Sequence, residues 1–284
     1  MIKIIGLGKA GSNIAQTFSK FPPYDIYTID TTKEADITIK KRLDHEEYDA
    51  RFPNLKRKLK FNNAEVYLIT CGAGEISGGV LQLLEQLKDN KVCVVYIQPD
   101  LALLSEIQKI QERVVRNVLQ EYARSGKIES IWLIDNPSVA LGIGEVPIVG
   151  YYDVLNQAIV NTIHMINVFA NSEPILGNIF KPSPLSRIAT VGILDMQKEE
   201  EKWFYDLTAT RDVVYYYGIN EEQLKEDGTL YRTITDYIKS QLDGQTNVSY
   251  GVFPTNYEQK YCYCIKYSSM VQSYKELLDD QDIS

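Results

Sequence analysis

Two glycine-rich turns constrain the fold of this 284-residue chain more than any other feature. The first, GLGKAGSNI, spans residues 6–14, and the second, CGAGEISGGV, spans residues 71–80. Each follows a short apolar run of the kind found in buried strands and leads into a sequence with helical spacing, which predicts a strand-to-helix turn. Glycine in such a turn lets the backbone approach a phosphate group, and the N-terminus of the following helix offers unpaired N–H groups. The pair of turns therefore favours an α/β sheet with a phosphate-binding edge.

The first half of the sequence alternates between strand-like and helix-like segments. The predicted strands are residues 1–6, 24–30, 37–39, 65–70, 92–99 and 128–135. The predicted helices are residues 12–21, 80–87 and 101–126. This alternation predicts an α/β fold with a doubly wound, mostly parallel, Rossmann-like nucleotide-binding sheet, which we assign to a domain of residues 1–150.

A long helix and a second, smaller domain are predicted to follow. The helix is assigned to residues 151–172, where Leu155, Ile159 and Ile166 repeat at helical spacing. Residues 173–270 are rich in tyrosine and in strand-like runs, with a helix near residues 230–242, which favours an α+β domain. Residues 271–284 form an acidic tail.

Composition excludes several classes of protein. The net charge of −8 and the pI near 5.0 argue against a nucleic-acid-binding protein, since such proteins carry a basic face. The one basic cluster, LKRKLKF at residues 55–61, is typical of a solvated loop or helix end. No apolar run approaches the ~18 residues that span a bilayer, and no signal peptide opens the sequence. We therefore expect a cytoplasmic protein without membrane insertion.

The cysteines and histidines give little material for a metal site. Cys71, Cys93, Cys262 and Cys264 lack the spacing of a zinc site and are predicted to be reduced thiols in the core. The two histidines are too few for a histidine-based metal site or triad.

The first turn alone permits more than one interpretation. Gly6, Gly8 and Gly11 have the G-x-G-x-x-G spacing of a dinucleotide-binding turn, and Asp30 stands where such enzymes place the acid that binds ribose. A nicotinamide-dependent enzyme would use that turn and leave the second one unexplained. Alternatively, the glycines only allow a helix to pack closely on a strand. The Lys-Ser/Thr pair of the P-loop is missing from both turns, so Walker-type nucleotide hydrolases are excluded.

Taken together, four stretches in order resemble the tubulin/FtsZ superfamily of polymerising GTPases. GLGKAGSNI is similar to the first nucleotide loop of that family, and ITCGAGEISGG stands in the place of its signature loop, G-G-G-T-G-T-G. SIWLIDNPSVAL resembles the strand and loop that lead to the sugar contact, and VPIVGYYDVLNQAIVNTIHMI resembles the long central helix. The resemblance covers most of the chain. Within the superfamily, the chain is most similar to the short, divergent members of bacterial, plasmid or phage type.

The resemblance implies a filament protein that binds GTP or GDP, with Mg²⁺, between the two turns and assembles head to tail with copies of itself. The residues implied in nucleotide binding are Gly8, Lys9, Ala10, Gly11, Asn13, Asp30, Gly72, Ala73, Gly74, Ser77, Gly78, Arg113, Asn136 and Tyr152. The glycine turns and the Ser77 hydroxyl would contact phosphate, while Asp30, Asn136 and Arg113 would lie near the ribose. Asn13 would reach the base or support the first turn. Tyr151 or Tyr152 would stack on the base, or else the tyrosines pack between the domains.

The second turn departs from the family pattern. Glu75 and Ile76 stand where the family has glycines in its signature loop, and Ser77 stands in place of its threonine. A carboxylate near phosphate is unfavourable, so Glu75 points outward, helps to hold Mg²⁺, or marks a weakened site. Residues 42–50, RLDHEEYDA, likewise carry carboxylates where FtsZ has a glycine-rich phosphate loop.

The segment after the long helix departs further. In the family this loop places two acids against the nucleotide of the next subunit, whereas here Asn178 is retained and Phe180 and Ser183 replace the acids. This predicts slow or absent hydrolysis unless Glu173 reaches the nucleotide, since a positioned base supplies ~10²–10⁴-fold in rate. Lys181 either lies against a neighbour's phosphate or faces solvent.

Two further expectations concern assembly. Residues 274–283, YKELLDDQDI, either clip a neighbouring subunit or form an unstructured acidic tail. A second hypothesis keeps the same fold and interfaces in a structural scaffold with a degenerate nucleotide site and no enzymatic activity.

Overall fold

One mixed sheet of twelve strands runs through the molecule in the computed structural model, which describes residues 1–273. The first-half strands are β1 (Ile2–Leu7), β2 (Tyr24–Asp30), β3 (Ile37–Thr38), β4 (Glu65–Thr70), β5 (Lys91–Gln98) and β6 (Ser130–Asp135). The second-half strands are β7 (Leu176–Asn178), β8 (Ile188–Asp195), β9 (Glu200–Trp203), β10 (Thr210–Asn220), β11 (Asn247–Thr255) and β12 (Tyr261–Ser268). The helices are α1 (Gly8–Thr17), α2 (His45–Ala50), α3 (Val80–Gln86), α4 (Glu106–Arg124), α5 (Asn136–Ile143), α6 (Tyr151–Ala170), α7 (Glu221–Glu226) and α8 (Leu230–Ser240).

The first half is the predicted parallel sheet. Its strands lie in the order β3-β2-β1-β4-β5-β6, and every neighbouring pair is parallel. Strands β1 and β4, which precede the two glycine turns, lie next to each other in the middle of this order. The carboxyl ends of these two strands therefore lie side by side at one edge of the sheet.

Helices cover both faces of this sheet, as the near-continuous apolar runs of its strands require. Ile4 and Ile5 of β1 are both fully buried and contribute to different hydrophobic clusters, because successive side chains of a strand point to opposite faces. Helices α1 and α6 pack on the Ile4 face. Helices α3 and α4 pack on the Ile5 face.

The second half extends the same sheet. Strand β8 pairs with β6 in parallel through Ile131–Ile188 and Trp132–Ala189, and the order then continues β8-β12-β10-β11-β7. A third cluster, with Tyr215, Tyr217 and Ile234, packs α8 on this half. The predicted fold class, a mostly parallel sheet followed by a long helix and a mixed α+β part, is confirmed. The residue bounds of the domains stay a prediction.

Four local expectations differ from the structure. Helix α1 begins at Gly8 and not at Ser12, so the glycine turn of residues 8–11 is the first turn of the helix. The segment after β6 is helix α5 and not a loop, since Pro137 stands in its first turn, where its missing N–H is not needed. Part of the predicted carboxylate loop of residues 42–50 is helix α2, which the Asp44 side chain caps. The short strands β7 and β9 were not predicted, because both are polar or exposed.

Three of the four cysteines are buried, as the sequence predicts. Cys93, Cys262 and Cys264 are buried free thiols, while Cys71 is only half-buried. Within residues 1–273, no helix is long and apolar enough to cross a bilayer.

Candidate functional site

The two glycine turns meet at the carboxyl edge of the parallel sheet. β1 and β4 are hydrogen-bonded neighbours, with Gly6 opposite Ile69. Helix α1 starts directly after β1, and a 3-10 turn at Glu75–Gly79 follows β4 and leads into α3. The structure therefore brings the two sequence-predicted turns together, as the pairing of their strands requires.

The three glycines of the first turn have different roles. A Cβ on Gly6 would collide with the Gly11 carbonyl, and a Cβ on Gly11 would collide with the Ile69 carbonyl of β4. Both glycines thus let α1 pack against the sheet at backbone distance. Gly8 has a φ of +75°, a conformation that side chains disfavour, and turns the chain from β1 into α1.

The N-terminus of α1 lacks a protein partner for its first N–H groups within residues 1–273. The residue at its N-cap is Leu7, which has no side-chain acceptor, and no acid stands in its first turn. Lys9 and Ala10 are exposed there. An uncapped helix start with a partial positive charge and a lysine favours an anion, as the phosphate prediction requires.

The second turn is held by its own backbone. The Ser77 hydroxyl is fully buried and donates to the carbonyls of Gly72 at 2.9 Å and Gly74 at 2.6 Å. A Cβ on Gly72 would collide with the Tyr96 hydroxyl, and a Cβ on Gly78 with the His45 carbonyl. The Ser77 N–H also donates to the Gly74 carbonyl, at 3.0 Å. These contacts give Ser77, Gly72 and Gly78 structural roles, and both donors of Ser77 are used within the turn.

The outer part of the second turn lies over the first. Gly74 and Glu75 are exposed, so the Glu75 carboxylate faces outward. The Cγ2 methyl of Ile76 lies only 2.7 Å from the place that a Cβ on Gly8 would take. Ile76 therefore fills the space directly above Gly8, between the two turns.

A cleft of about 910 Å³ opens at the same carboxyl edge of the sheet, between α5 and the start of α6, and its described lining includes no residue of either glycine turn. It is lined by Asp100, Leu103, Asn136, Pro137, Ala140, Leu141, Gly144, Ile148, Gly150, Tyr151, Tyr152 and Asp153. The Asp135 carboxylate caps α5 by accepting from the Ser138 N–H at 3.0 Å and hydroxyl at 2.7 Å, which positions the neighbouring Asn136. The cleft thus contains the predicted Asn136 and Tyr152, with Tyr152 59% exposed and available for stacking.

Other predicted residues lie outside this cleft. Asp30 is almost fully buried at the end of β2, where its carboxylate accepts the Thr31 N–H at 2.7 Å. Asn13 is exposed on α1, and Arg113 is exposed on α4. None of the three is among the described residues that line the cleft.

Several apolar residues of the cleft were not predicted. Leu103, Leu141 and Ile148 are 76%, 84% and 94% exposed at the rim. The available signal for Leu141 and Ile148 was their position outside the predicted helices and strands, whereas Leu103 lay inside the predicted helix of residues 101–126 and gave no such signal.

Metal-ligating residues are scarce. Residues 1–273 contain no group of three or more His, Cys, Asp or Glu side chains placed to hold a metal ion. Mg²⁺ commonly binds through substrate phosphates and only one or two carboxylates, so the Glu75 assignment stays a prediction. Burial raises the pKa of the Cys71 thiol, at the end of β4, to about 11, which keeps it protonated near neutral pH.

The segment that follows α6 lies far from the cleft. Tyr151 lines the cleft at the start of α6, and the helix runs for 20 residues. At about 1.5 Å per residue, α6 spans roughly 30 Å. Beyond its end, Glu173, Asn178, Phe180 and Lys181 are all exposed. Ser183 is half-buried, and its N–H donates to Asp212 at 3.3 Å.

The fold is shared with solved structures of the tubulin/FtsZ superfamily. An empty FtsZ dimer from M. jannaschii matches with a TM-score of 0.67 and 14% identity, over 94% of this chain and 87% of that one. A GTPγS-form protofilament of TubZ from Bacillus thuringiensis serovar israelensis matches at 0.66 and 14%, over 96% and 87%. GDP-bound CetZ1 from Haloferax volcanii matches at 0.62 and 16%, over 95% and 94%. No protein-family model matches the sequence, and no curated protein matches it. The resemblance in fold to the tubulin/FtsZ superfamily is thereby confirmed.

Proposed function

We propose that this chain is a cytoplasmic, tubulin-like filament protein that binds a guanine nucleotide and assembles head to tail, with slow or lost hydrolysis. The observation that carries the proposal is the pair of glycine turns on the neighbouring strands β1 and β4, with an open cleft at the same edge of the sheet, in a fold shared with nucleotide-bound protofilaments. The origin from a phage or plasmid is part of the same proposal.

The nucleotide would lie along the carboxyl edge of the sheet. The N–H groups at the start of α1, with the Lys9 ammonium, and those of the second turn would hold the phosphates, whose negative charge suits an uncapped helix start. Asn136 would bind the sugar in the cleft, and Tyr152 would stack on the base. Mg²⁺ bound with the phosphates would neutralise part of their charge.

Head-to-tail assembly follows from the length of α6. Because the segment beyond α6 begins roughly 30 Å from the cleft, it cannot reach the nucleotide of its own subunit. Both places are apolar and open: Ile148 and Leu141 at the cleft, and Ile175, Phe180 and Leu185 beyond α6, are each at least 59% exposed. A contact between two such different surfaces repeats without closing and produces a filament.

The same contact accounts for slow hydrolysis. Phe180 and Lys181 would be placed towards the neighbour's nucleotide, where a carboxylate is needed to orient water. A phenyl ring and an ammonium group cannot accept a proton from water, although Lys181 can bind phosphate. We therefore propose that nucleotide strengthens the filament and turns over slowly.

The test is assembly by light scattering with GTP, with phosphate release followed in the same sample. We expect scattering to rise with GTP and phosphate release to stay far below one equivalent per assembled subunit. Assembly that depends on rapid phosphate release would contradict the proposed loss of hydrolysis. The absence of any response to GTP would contradict nucleotide-dependent assembly.

A scaffold without nucleotide is the second candidate, favoured by one contact. Ile76 fills the space above Gly8, and a bound phosphate would have to displace it. Denaturing the purified protein and identifying any released base separates the two candidates. A guanine nucleotide supports the first, and GTP-independent filaments without nucleotide support the second.

A further inference from the structure

Helix α4 carries three large aliphatic side chains towards solvent. Ile107, Ile110 and Val114 are 70%, 52% and 50% exposed. Steps of three and four residues place them in one line along the helix, which we call the α4 stripe. A row of exposed aliphatic side chains marks an interaction surface on a protein otherwise rich in charge.

The opposite side of α4 is buried and charged. Glu112 and Arg116 are both fully buried, with Arg116 Nε 2.9 Å from Glu112 Oε1. Arg116 also donates to the Gln272 carbonyl at 2.7 Å, and the Tyr96 hydroxyl donates to Glu112 at 3.1 Å. These bonds fix the rotation of the helix about its axis, so it cannot turn the α4 stripe inward.

The spacing of the α4 stripe is that of a coiled-coil seam. In heptad notation Ile107 and Val114 occupy a positions, and Ile110 occupies a d position. We propose that the α4 stripe pairs with the same stripe of a second copy of this chain, with the two helices antiparallel. In that arrangement Ile107 of each copy would meet Ile110 of the other, so four isoleucine side chains form the seam, with a Val114 at either end.

The charges beside the stripe determine the direction. Glu106 and Arg113 occupy successive g positions and therefore lie on one edge of the α4 stripe. Antiparallel helices bring g positions together, which places Glu106 next to Arg113 of the second copy, twice per pair. Parallel helices would place these residues next to Gln111 and Val118, where no opposite charge stands. Glu106 already contacts Lys109 at 2.8 Å, but such exposed pairs are weak and do not prevent a second partner.

This contact is separate from head-to-tail assembly and does not rest on it. Helix α4 packs on a face of the sheet, among the residues around Ile5, whereas the cleft lies at the carboxyl edge. A seam of four side chains is much smaller than the roughly 1,600 Å² of a standard interface, so one contact is weak. If subunits also assemble into filaments, many such contacts act together and join filaments of opposite direction.

The test is sedimentation velocity of the full chain without nucleotide, over concentrations up to several hundred μM. We expect a reversible monomer–dimer equilibrium, and we expect Ile110→Glu to weaken it by about 10-fold or more, because two carboxylates would enter an apolar seam. Leu242→Glu, which places the same charge on another exposed leucine, is the matched control and should leave the equilibrium unchanged.

Charge reversal identifies the partner and the direction. Glu106→Arg and Arg113→Glu should each weaken the dimer several-fold, and the double variant E106R/R113E should restore it, because the pair is exchanged on both copies. Failure of the double variant to recover would overturn the antiparallel pairing. A wild-type chain that stays monomeric throughout the concentration range would overturn self-pairing. Thermal unfolding of each variant checks that its fold is intact.

Discussion

Gly11 is a packing residue as much as a candidate phosphate ligand. Its Cα lies against the Ile69 carbonyl, so Gly11→Ala forces α1 away from β4, and overpacking of this kind destabilises by about 1–3 kcal/mol. Gly74→Ala is the matched control, since Gly74 has no atom within 4 Å of its Cβ position and a negative φ. We expect urea unfolding to show a lower free energy of unfolding for Gly11→Ala and an unchanged one for Gly74→Ala. Equal losses in both variants would contradict the packing role.

Ile76 controls access to Gly8. Ile76→Ala removes the methyl group above Gly8 and should tighten the binding of a fluorescent GTP analogue by roughly 3- to 10-fold, corresponding to about 0.7–1.4 kcal/mol. Val168→Ala, which also shortens a partly exposed β-branched residue, should bind like the wild type. Weaker binding in Ile76→Ala would mean that Ile76 supports the nucleotide rather than obstructing it.

The sequence predicts which glycines matter but not what each one does. The spacing of Gly6, Gly8 and Gly11 indicates a strand-to-helix turn. The contact of Gly11 with Ile69, and that of Gly8 with Ile76, depend on the pairing of β1 with β4, which joins residues far apart in the chain. No local pattern carries that information.

At the scale of elements, α4 depends on its buried ion pair. Arg116→Met leaves the Glu112 carboxylate without its cation and the Gln272 carbonyl with only the Gln120 amide as donor, and breaking a buried pair in this way costs about 3–5 kcal/mol. Arg113→Met makes the same substitution on the exposed side of the helix. Its free energy of unfolding should stay within about 0.5 kcal/mol of that of the wild type. Urea unfolding at neutral pH measures both.

The deficit of Arg116→Met should shrink as the pH falls. Burial raises the pKa of Glu112 above that of an ordinary carboxyl group, and Arg116 opposes this rise. Without Arg116 the pKa rises further, so stability is retained where Glu112 is protonated and is lost as the pH increases through its raised pKa. Unfolding curves from pH 5 to pH 8 test this. A deficit that is constant with pH would exclude Glu112 as its cause.

The bounds of helices and strands could be predicted best where the element is buried. Strands β2 and β4 have the predicted bounds, because their apolar residues and flanking turns are clear. Helix α5 was assigned to a loop, since Pro137 looks like a helix breaker unless the helix start is known. Strand β9, with the sequence EEKW, is held by its pairing with β8 and not by apolar residues of its own.

At the scale of the whole molecule, the proposed slow hydrolysis rests on the surface that one subunit would present to the next. Phe180→Asp places a carboxylate at one of the two positions where FtsZ has an acid, and should raise phosphate release from filaments by at least about 10-fold, towards the range of a positioned base. Leu185→Asp adds the same charge to an exposed residue of the same segment and should not raise it. An equal increase in both variants would assign the effect to charge alone.

The position of β12 governs when this protein can finish folding. β12 is the last strand of residues 1–273, yet it lies between β8 and β10. While the ribosome is still making residues 261–268, both of those strands keep an open edge, which is the kind of surface that pairs with other chains. The first half can form its parallel sheet early, but the second half must wait until residues 261–268 have left the ribosome. Nascent chains that stall before Tyr261 should therefore be the ones that need chaperones.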